Sequence, residues 1–299
     1  MNRLFGTVCA TITPMEKDGS LDLGSLKNLC SYMDENGING IYPNGTNGEG
    51  ILLTEAERQS VVDVMVSNYS ADNHSVFIQC GSVTPEETFR HVAHAHKAGA
   101  DGVGIMTPLF FHVDDAALKD YYLEAASTVP ADFPLYIYNI PSHTNNDLRP
   151  ALFAELIDHI PNLRGIKFSA PDLMRIEDYM LAAKRKVDVL IGCDSLYLQC
   201  LVSGGVGTVS GPAQVFGKRF SKLYKHYLEG DFEGALETQR VIVETDRKLA
   251  SISGIPAIKT LLMMQGVIKN DSCRKPLRAL TADEKAILKE ELDKYNRES

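Results

Sequence analysis

Eight short runs rich in Val, Ile, Tyr and small residues recur along the chain, at about 5–13, 38–43, 75–80, 102–106, 135–139, 164–168, 188–192 and 206–210. Each is mostly apolar instead of cleanly alternating, the pattern of parallel strands covered by helices on their outer face. Their starts lie roughly 18 to 37 residues apart, enough in most intervals for a strand, a loop and an amphipathic helix. The last interval leaves room only for a short helix. Between the runs, Thr84-Pro85-Glu86-Glu87 places a hydroxyl at an N-cap, proline at the first helical position and a carboxylate at N3. Thr54-Glu55-Ala56-Glu57 and Thr281-Ala282-Asp283-Glu284 read as capping boxes. Eight strand-like runs with intervening helices, and no early G-x-G-x-x-G, predict an α/β fold of the (β/α)8 barrel type over an open doubly wound sheet. The pattern assigns residues 1–225 to the barrel and 226–299 to a C-terminal helical tail packed on it. Breaks are expected at Glu229-Gly230-Asp231, at Ser253-Gly254-Ile255-Pro256 and around Asp271, with no low-complexity linker.

Composition narrows the partners. With 44% hydrophobic and 23% charged residues in 299, the chain matches a soluble globular average. Thirty Lys+Arg against 39 Asp+Glu give −9 without a basic stripe, so a nucleic-acid or anionic-membrane partner is not expected. The six cysteines are widely spaced with no C-x-x-C pair, which fits reduced thiols instead of a zinc knuckle or a disulfide framework. The N-terminal residues are too quickly polar for a secretory signal, and no apolar run approaches the ~20 residues of a membrane helix. A cytoplasmic protein is the expectation.

In such a barrel the working groups gather at the C-terminal ends of the strands. After the second run, Gly45-Thr46-Asn47-Gly48-Glu49-Gly50 is a glycine-rich turn whose backbone N–H groups suit a carboxylate or phosphate; a plain tight loop is the equal alternative. In the fifth run Tyr136 and Tyr138 share parity and face the barrel interior if the strand is regular. In the sixth, alternation puts Lys167 with Gly165 and Ser169 on one face, and Ile166 with Phe168 on the other. Desolvation disfavours a charged ammonium, and a neutral amine attacks a carbonyl to form a Schiff base. Lys167 and Tyr138, on neighbouring strands about 4.8 Å apart, would pair a nucleophile with a proton carrier. His91, His94 and His96 read as an outer helix face, and Ser142 beside His143 does not read as a triad. Gly204-Gly205-Val206-Gly207-Thr208-Val209-Ser210-Gly211 reads as close backbone packing.

Gly45-Thr46-Asn47-Gly48-Glu49, Tyr138-Asn139-Ile140-Pro141, Gly165-Ile166-Lys167 and Gly204-Gly205-Val206-Gly207 occur in an order and spacing that resemble the dihydrodipicolinate synthase/N-acetylneuraminate lyase family of pyruvate-dependent class I aldolases. The resemblance runs over essentially the whole chain. It implies a homotetramer built as a dimer of dimers, with no metal or organic cofactor. It also implies that Lys167 forms the imine, that Tyr138 shuttles protons, and that Thr46 and Asn47, with Gly48, hold the pyruvyl carboxylate. Gly192 and Val209 would shape the pyruvyl pocket, Ser169, Asp194 and Thr208 would meet acceptor hydroxyls, and His143 and Phe110 would shape the distal pocket.

Three positions depart from the family pattern. Pro108-Leu109-Phe110-Phe111 lacks the relay tyrosine of the synthases, and Pro141-Ser142-His143-Thr144 lacks their arginine, whose bidentate fork a histidine cannot supply. Ser195 stands where the sialic acid lyases tend to carry glutamate. The expected reaction is therefore reversible cleavage of a 2-keto-3-deoxy sugar acid, or a related 2-keto acid, to pyruvate and an aldehyde. The rival readings are a synthase condensing pyruvate with aspartate semialdehyde, an imine-forming dehydratase, and a pyruvate-binding paralogue without turnover.

Overall fold

The computed structural model describes residues 3–69, 74–184 and 187–298. Strands β1 (Gly6–Cys9), β2 (Gly40–Ile41), β3 (Ser75–Gln79), β4 (Gly102–Met106), β5 (Leu135–Asn139), β6 (Leu163–Phe168), β7 (Asp188–Ile191) and β8 (Gly207–Ser210) close into one barrel in chain order. Every neighbouring pair is parallel, including β1 on β8. The first two strands are shorter than their apolar runs. Beyond Ala10 the backbone turns to side chains, with the Ile12 N–H donating to Gln214 Oε1 at 2.9 Å. Pro43 ends β2 because it has no N–H to donate.

The barrel is wrapped by α1 (Leu23–Glu35), α2 (Glu55–Asn68), α3 (Pro85–Ala98) and α4 (Asp115–Ser127). A single turn, α5 (Pro141–Thr144), follows β5, and then come α6 (Pro150–His159), α7 (Leu173–Ala182), α8 (Tyr197–Val202) and α9 (Gly217–Glu229). The short α8 fills the short last interval between strands. Thr54 and Glu57 form the full reciprocal capping box on α2. At α3 only half of it forms, because Glu87 accepts from Ser82 Oγ at 2.6 Å instead of returning to the cap.

Burial on both faces explains why the strands read as continuous apolar runs. Ile41, Ile78, Val103, Ile105, Ile137, Ile166, Phe168 and Val189 belong to the layer between sheet and helices. Val8, Tyr42, Phe77, Tyr136, Tyr138, Leu190 and Val209 fill the interior. Two glycines make room for this filling. A Cβ on Gly104 would lie 1.7 Å from the Tyr42 hydroxyl, and one on Gly165 would lie 2.0 Å from the Asp188 carbonyl.

The chain then forms α10 (Phe232–Ile252), α11 (Gly254–Met264) and α12 (Ala282–Glu298). Gly230, with φ of 76°, closes α9 past residue 225, so the first tail helix begins at Phe232. Polar contacts bind these helices to the end of the barrel where the strands terminate. Gln239 of α10 donates to the Asp194 carbonyl at 2.9 Å and accepts from the Leu198 N–H at 2.8 Å. Lys259 of α11 makes a fully buried ion pair with Glu49, in the loop after β2.

Candidate active site

Lys167 and Tyr138 are direct register partners on β6 and β5. Lys167 is only 4% exposed, and its Nζ lies 3.9 Å from the centre of the Tyr138 ring and 4.9 Å from that of Tyr42. Among the described residues no carboxylate pairs with it. The lysine stem rises through a gap that β7 leaves open: a Cβ on Gly192 would lie 1.9 Å from Ser169 Oγ and 3.1 Å from Lys167 Cε.

The Tyr138 hydroxyl faces Thr46 Oγ1 at 3.4 Å. Thr46 sits in a loop whose shape is over-determined. Asn44 and Glu49 both hold positive φ, at 61° and 56°, a region uncommon for residues other than glycine, though asparagine enters it more readily than glutamate. Asn44 donates to the Arg58 carbonyl at 3.1 Å, and Glu49 accepts from the Arg274 N–H at 2.7 Å besides pairing with Lys259. Asn47 packs on the backbone after β8, where a Cβ on Gly211 would lie 2.6 Å from its Oδ1.

One cavity of about 330 Å³ collects Thr46, Asn47, Tyr138, His143, Lys167, Ser169, Gly192, Asp194 and Val209. Three other expected residues lie outside its wall. Gly48 is behind the loop, its carbonyl accepting from Thr13 Oγ1 at 2.8 Å, and its lack of a side chain lets Asn44 and Thr11 approach. Thr208 is fully buried, its hydroxyl shared between the Ile191 carbonyl at 2.9 Å and Asp194 at 3.3 Å. Phe110, 78% exposed with φ of 71°, stacks edge-on against Phe111 away from the cavity. Asn145 and Asn146 pin that loop through the Phe110, Pro108 and Phe111 carbonyls. Ser142 and His143, which sequence reasoning set apart, do meet: Ser142 Oγ and His143 Nδ1 are 2.9 Å apart on the cavity wall.

Asp194 is fully enclosed. Burial, and next the nearby charge of Asp246, push its carboxyl up to about 7 against the opposing hydrogen bonds of Ser210 and Thr208 and the charge of Lys167. Asp246, reaching in from α10, also lines the cavity and is raised by burial. Sequence reasoning missed both Asp246 and Tyr42. The signal for Asp246 was an acid on the same helical stripe as Gln239, Ile242 and Leu249, which face the barrel.

A closed eight-stranded barrel with a buried lysine paired to a tyrosine at the strand ends defines a carbon–carbon lyase of the class I aldolase kind. The chain belongs to the dihydrodipicolinate synthetase family, which it matches over residues 3–295. It is 33% identical to a DapA-like lyase of Halobacterium salinarum over 289 residues, covering 97% of this chain and 93% of that one. It is 30% identical to the N-acetylneuraminate lyase of Rattus norvegicus, covering 98% and 93%. Among solved structures it superimposes on the dihydrodipicolinate synthase of Aquifex aeolicus with a TM-score of 0.92 at 29% identity, covering 98% of each chain.

Proposed function

We propose that the protein reversibly cleaves a 2-keto-3-deoxy sugar acid, or a related hydroxylated 2-keto acid, to pyruvate and an aldehyde. The register pairing of Lys167 with Tyr138, whose hydroxyl Thr46 faces at 3.4 Å, carries the reading. The neutral Lys167 amine adds to the keto carbon, and water leaves as the Tyr138 hydroxyl delivers a proton, giving a protonated imine. Thr46 gives that hydroxyl a hydrogen-bonding partner through which the proton passes. The Tyr138 phenolate left behind takes the proton of the C4 hydroxyl, and the C3–C4 bond breaks. Its electron pair moves into the imine as an enamine, and the aldehyde departs. Protonation at carbon and hydrolysis return pyruvate and the free lysine.

The imine is itself the electron sink, so this scheme calls for no metal or organic cofactor. The Thr46-Asn47 turn holds the substrate carboxylate, Gly192 and Val209 bound the pyruvyl part, and Ser169, Asp194 and His143 face the acceptor part. The sugar-acid assignment draws on the absence of arginine from the described cavity wall, which leaves no bidentate partner for a second carboxylate. The resemblance further supports a cytoplasmic homotetramer, a dimer of dimers. The test is intact mass after incubation with pyruvate and borohydride. One reduced pyruvate adduct on the wild type and none on Lys167→Ala is the expected result, and an equal adduct on both would overturn the mechanism.

A further inference from the structure

The cavity around Lys167 holds two carboxylates in different situations. Both oxygens of Asp194 already accept hydrogen bonds, Oδ2 from Ser210 at 2.7 Å and Oδ1 from Thr208 at 3.3 Å. Asp246 comes from outside the barrel, on α10, and its Oδ2 accepts from Ser195 Oγ at 3.1 Å. Among the described residues nothing donates to its Oδ1, and no lysine, arginine or histidine nitrogen comes within ion-pair distance. Arg247 lowers its proton affinity only from a distance, and burial outweighs it. A half-buried carboxylate that opens on a reaction cavity with an oxygen to spare is a recognition group for donors. The other titratable groups on the cavity wall are Lys167, Tyr138, His143 and Cys193. Lys167 is committed to the keto carbon, and His143 Nδ1 is committed to Ser142.

We propose that Asp246, held by Ser195, sets the acceptor specificity: its spare oxygen accepts hydrogen bonds from hydroxyl or ammonium groups on the aldehyde half of the substrate, and its charge repels aldehydes that carry a carboxylate or phosphate. The proposal rests on the aldolase reading above. It assigns this choice to a residue of the tail instead of the barrel. The two carboxylates differ in setting: each Asp194 oxygen already accepts from a side chain of the barrel, whereas Asp246 keeps one oxygen without a donor among the described residues.

The experiment compares kcat/KM for condensation of pyruvate with glyceraldehyde and with glyceraldehyde 3-phosphate. The two share a carbon skeleton and differ in charge. The wild type is expected to favour the neutral aldehyde by about tenfold or more, and Asp246→Asn to narrow that ratio by about tenfold. Partial loss of folded enzyme scales both rates together and leaves the ratio intact. Should Asp246→Asn not fold, Ser195→Ala, which removes only a hydroxyl, is expected to narrow the ratio several-fold. A ratio unchanged in the variant, with the pyruvate adduct forming normally on the wild type, overturns the role of Asp246 alone. Absence of the adduct from the wild type overturns the aldolase reading and this inference with it.

Discussion

Asp194 shows how a single side chain links the site to the stability of the whole. Folded, it keeps its proton to about pH 7 because burial and the Asp246 charge disfavour the carboxylate. In the unfolded chain an aspartate loses that proton near pH ~3.9. Between these values the native state binds more protons, so the contribution to stability is full below about pH 3.9 and is lost as pH rises through 7. His91 titrates in the opposite sense, its ring held down to about 3 first by burial and then by the Arg58 charge, and comparison with a variant cancels it. Asp194→Asn is expected to lose less melting temperature than the wild type between pH 5 and pH 8, by differential scanning calorimetry. Parallel curves would show that the carboxyl titrates normally. Lys167 was legible at this scale because parity along one strand sufficed. Asp246 was not, since its importance depends on a helix folding back over the barrel mouth.

At the scale of elements, a strand and the site are coupled through missing side chains. Gly104 on β4 leaves the space that the Tyr42 hydroxyl occupies, and the Tyr42 ring lies 4.9 Å from Lys167 Nζ. Gly104→Ala therefore displaces a buried ring, an overpacking expected to cost about 1–3 kcal/mol and to lower kcat/KM for any keto acid the enzyme cleaves. Gly254→Ala, at the first position of α11 with nothing within 4 Å of its Cβ, is the control. Urea midpoints and steady-state kinetics on both variants check this, and equal behaviour would contradict it. The strand count, their parallel arrangement and the caps were readable from period and turn chemistry. The true lengths of β1 and β2 were not, because Gln214, about two hundred residues away, captures the backbone that would have extended β1.

Across the whole molecule, the tail is tied to the loop after β2 by the buried Lys259–Glu49 pair and by the Arg274 N–H, which donates to Glu49 at 2.7 Å. Lys259 of α11 and Glu49 after β2 have fully buried side chains, and Lys259 also donates to the Ser272 carbonyl at 2.8 Å. Removing one partner strands a charge away from water. Lys259→Met is thus expected to cost about 3–5 kcal/mol, read as a lower urea midpoint, and to raise the KM for the keto acid by loosening the turn that carries Thr46. Combining it with Glu49→Gln is expected to recover much of the stability, because no unpaired charge remains. A double variant no more stable than the single one would show that packing, not charge, dominates there.

The amino-acid sequence by itself determined the repeating βα pattern, the closed parallel barrel and the face of β6 on which Lys167 stands. The repeat and the strand face depend on periodicity and local chemistry within about forty residues, while closure, which pairs Gly6 with Gly207, follows from the number of repeats. Strand parity also set Tyr138 beside Lys167, and the resemblance added the Thr46-Asn47 turn to the same site. The tertiary structure alone decided that Phe110 stacks outward, that the Thr208 hydroxyl is shared with Asp194, and that α10 delivers Asp246 beside Ser195. Those outcomes turn on which surfaces meet when distant segments pack, and on which charges that packing removes from water. No local pattern records either.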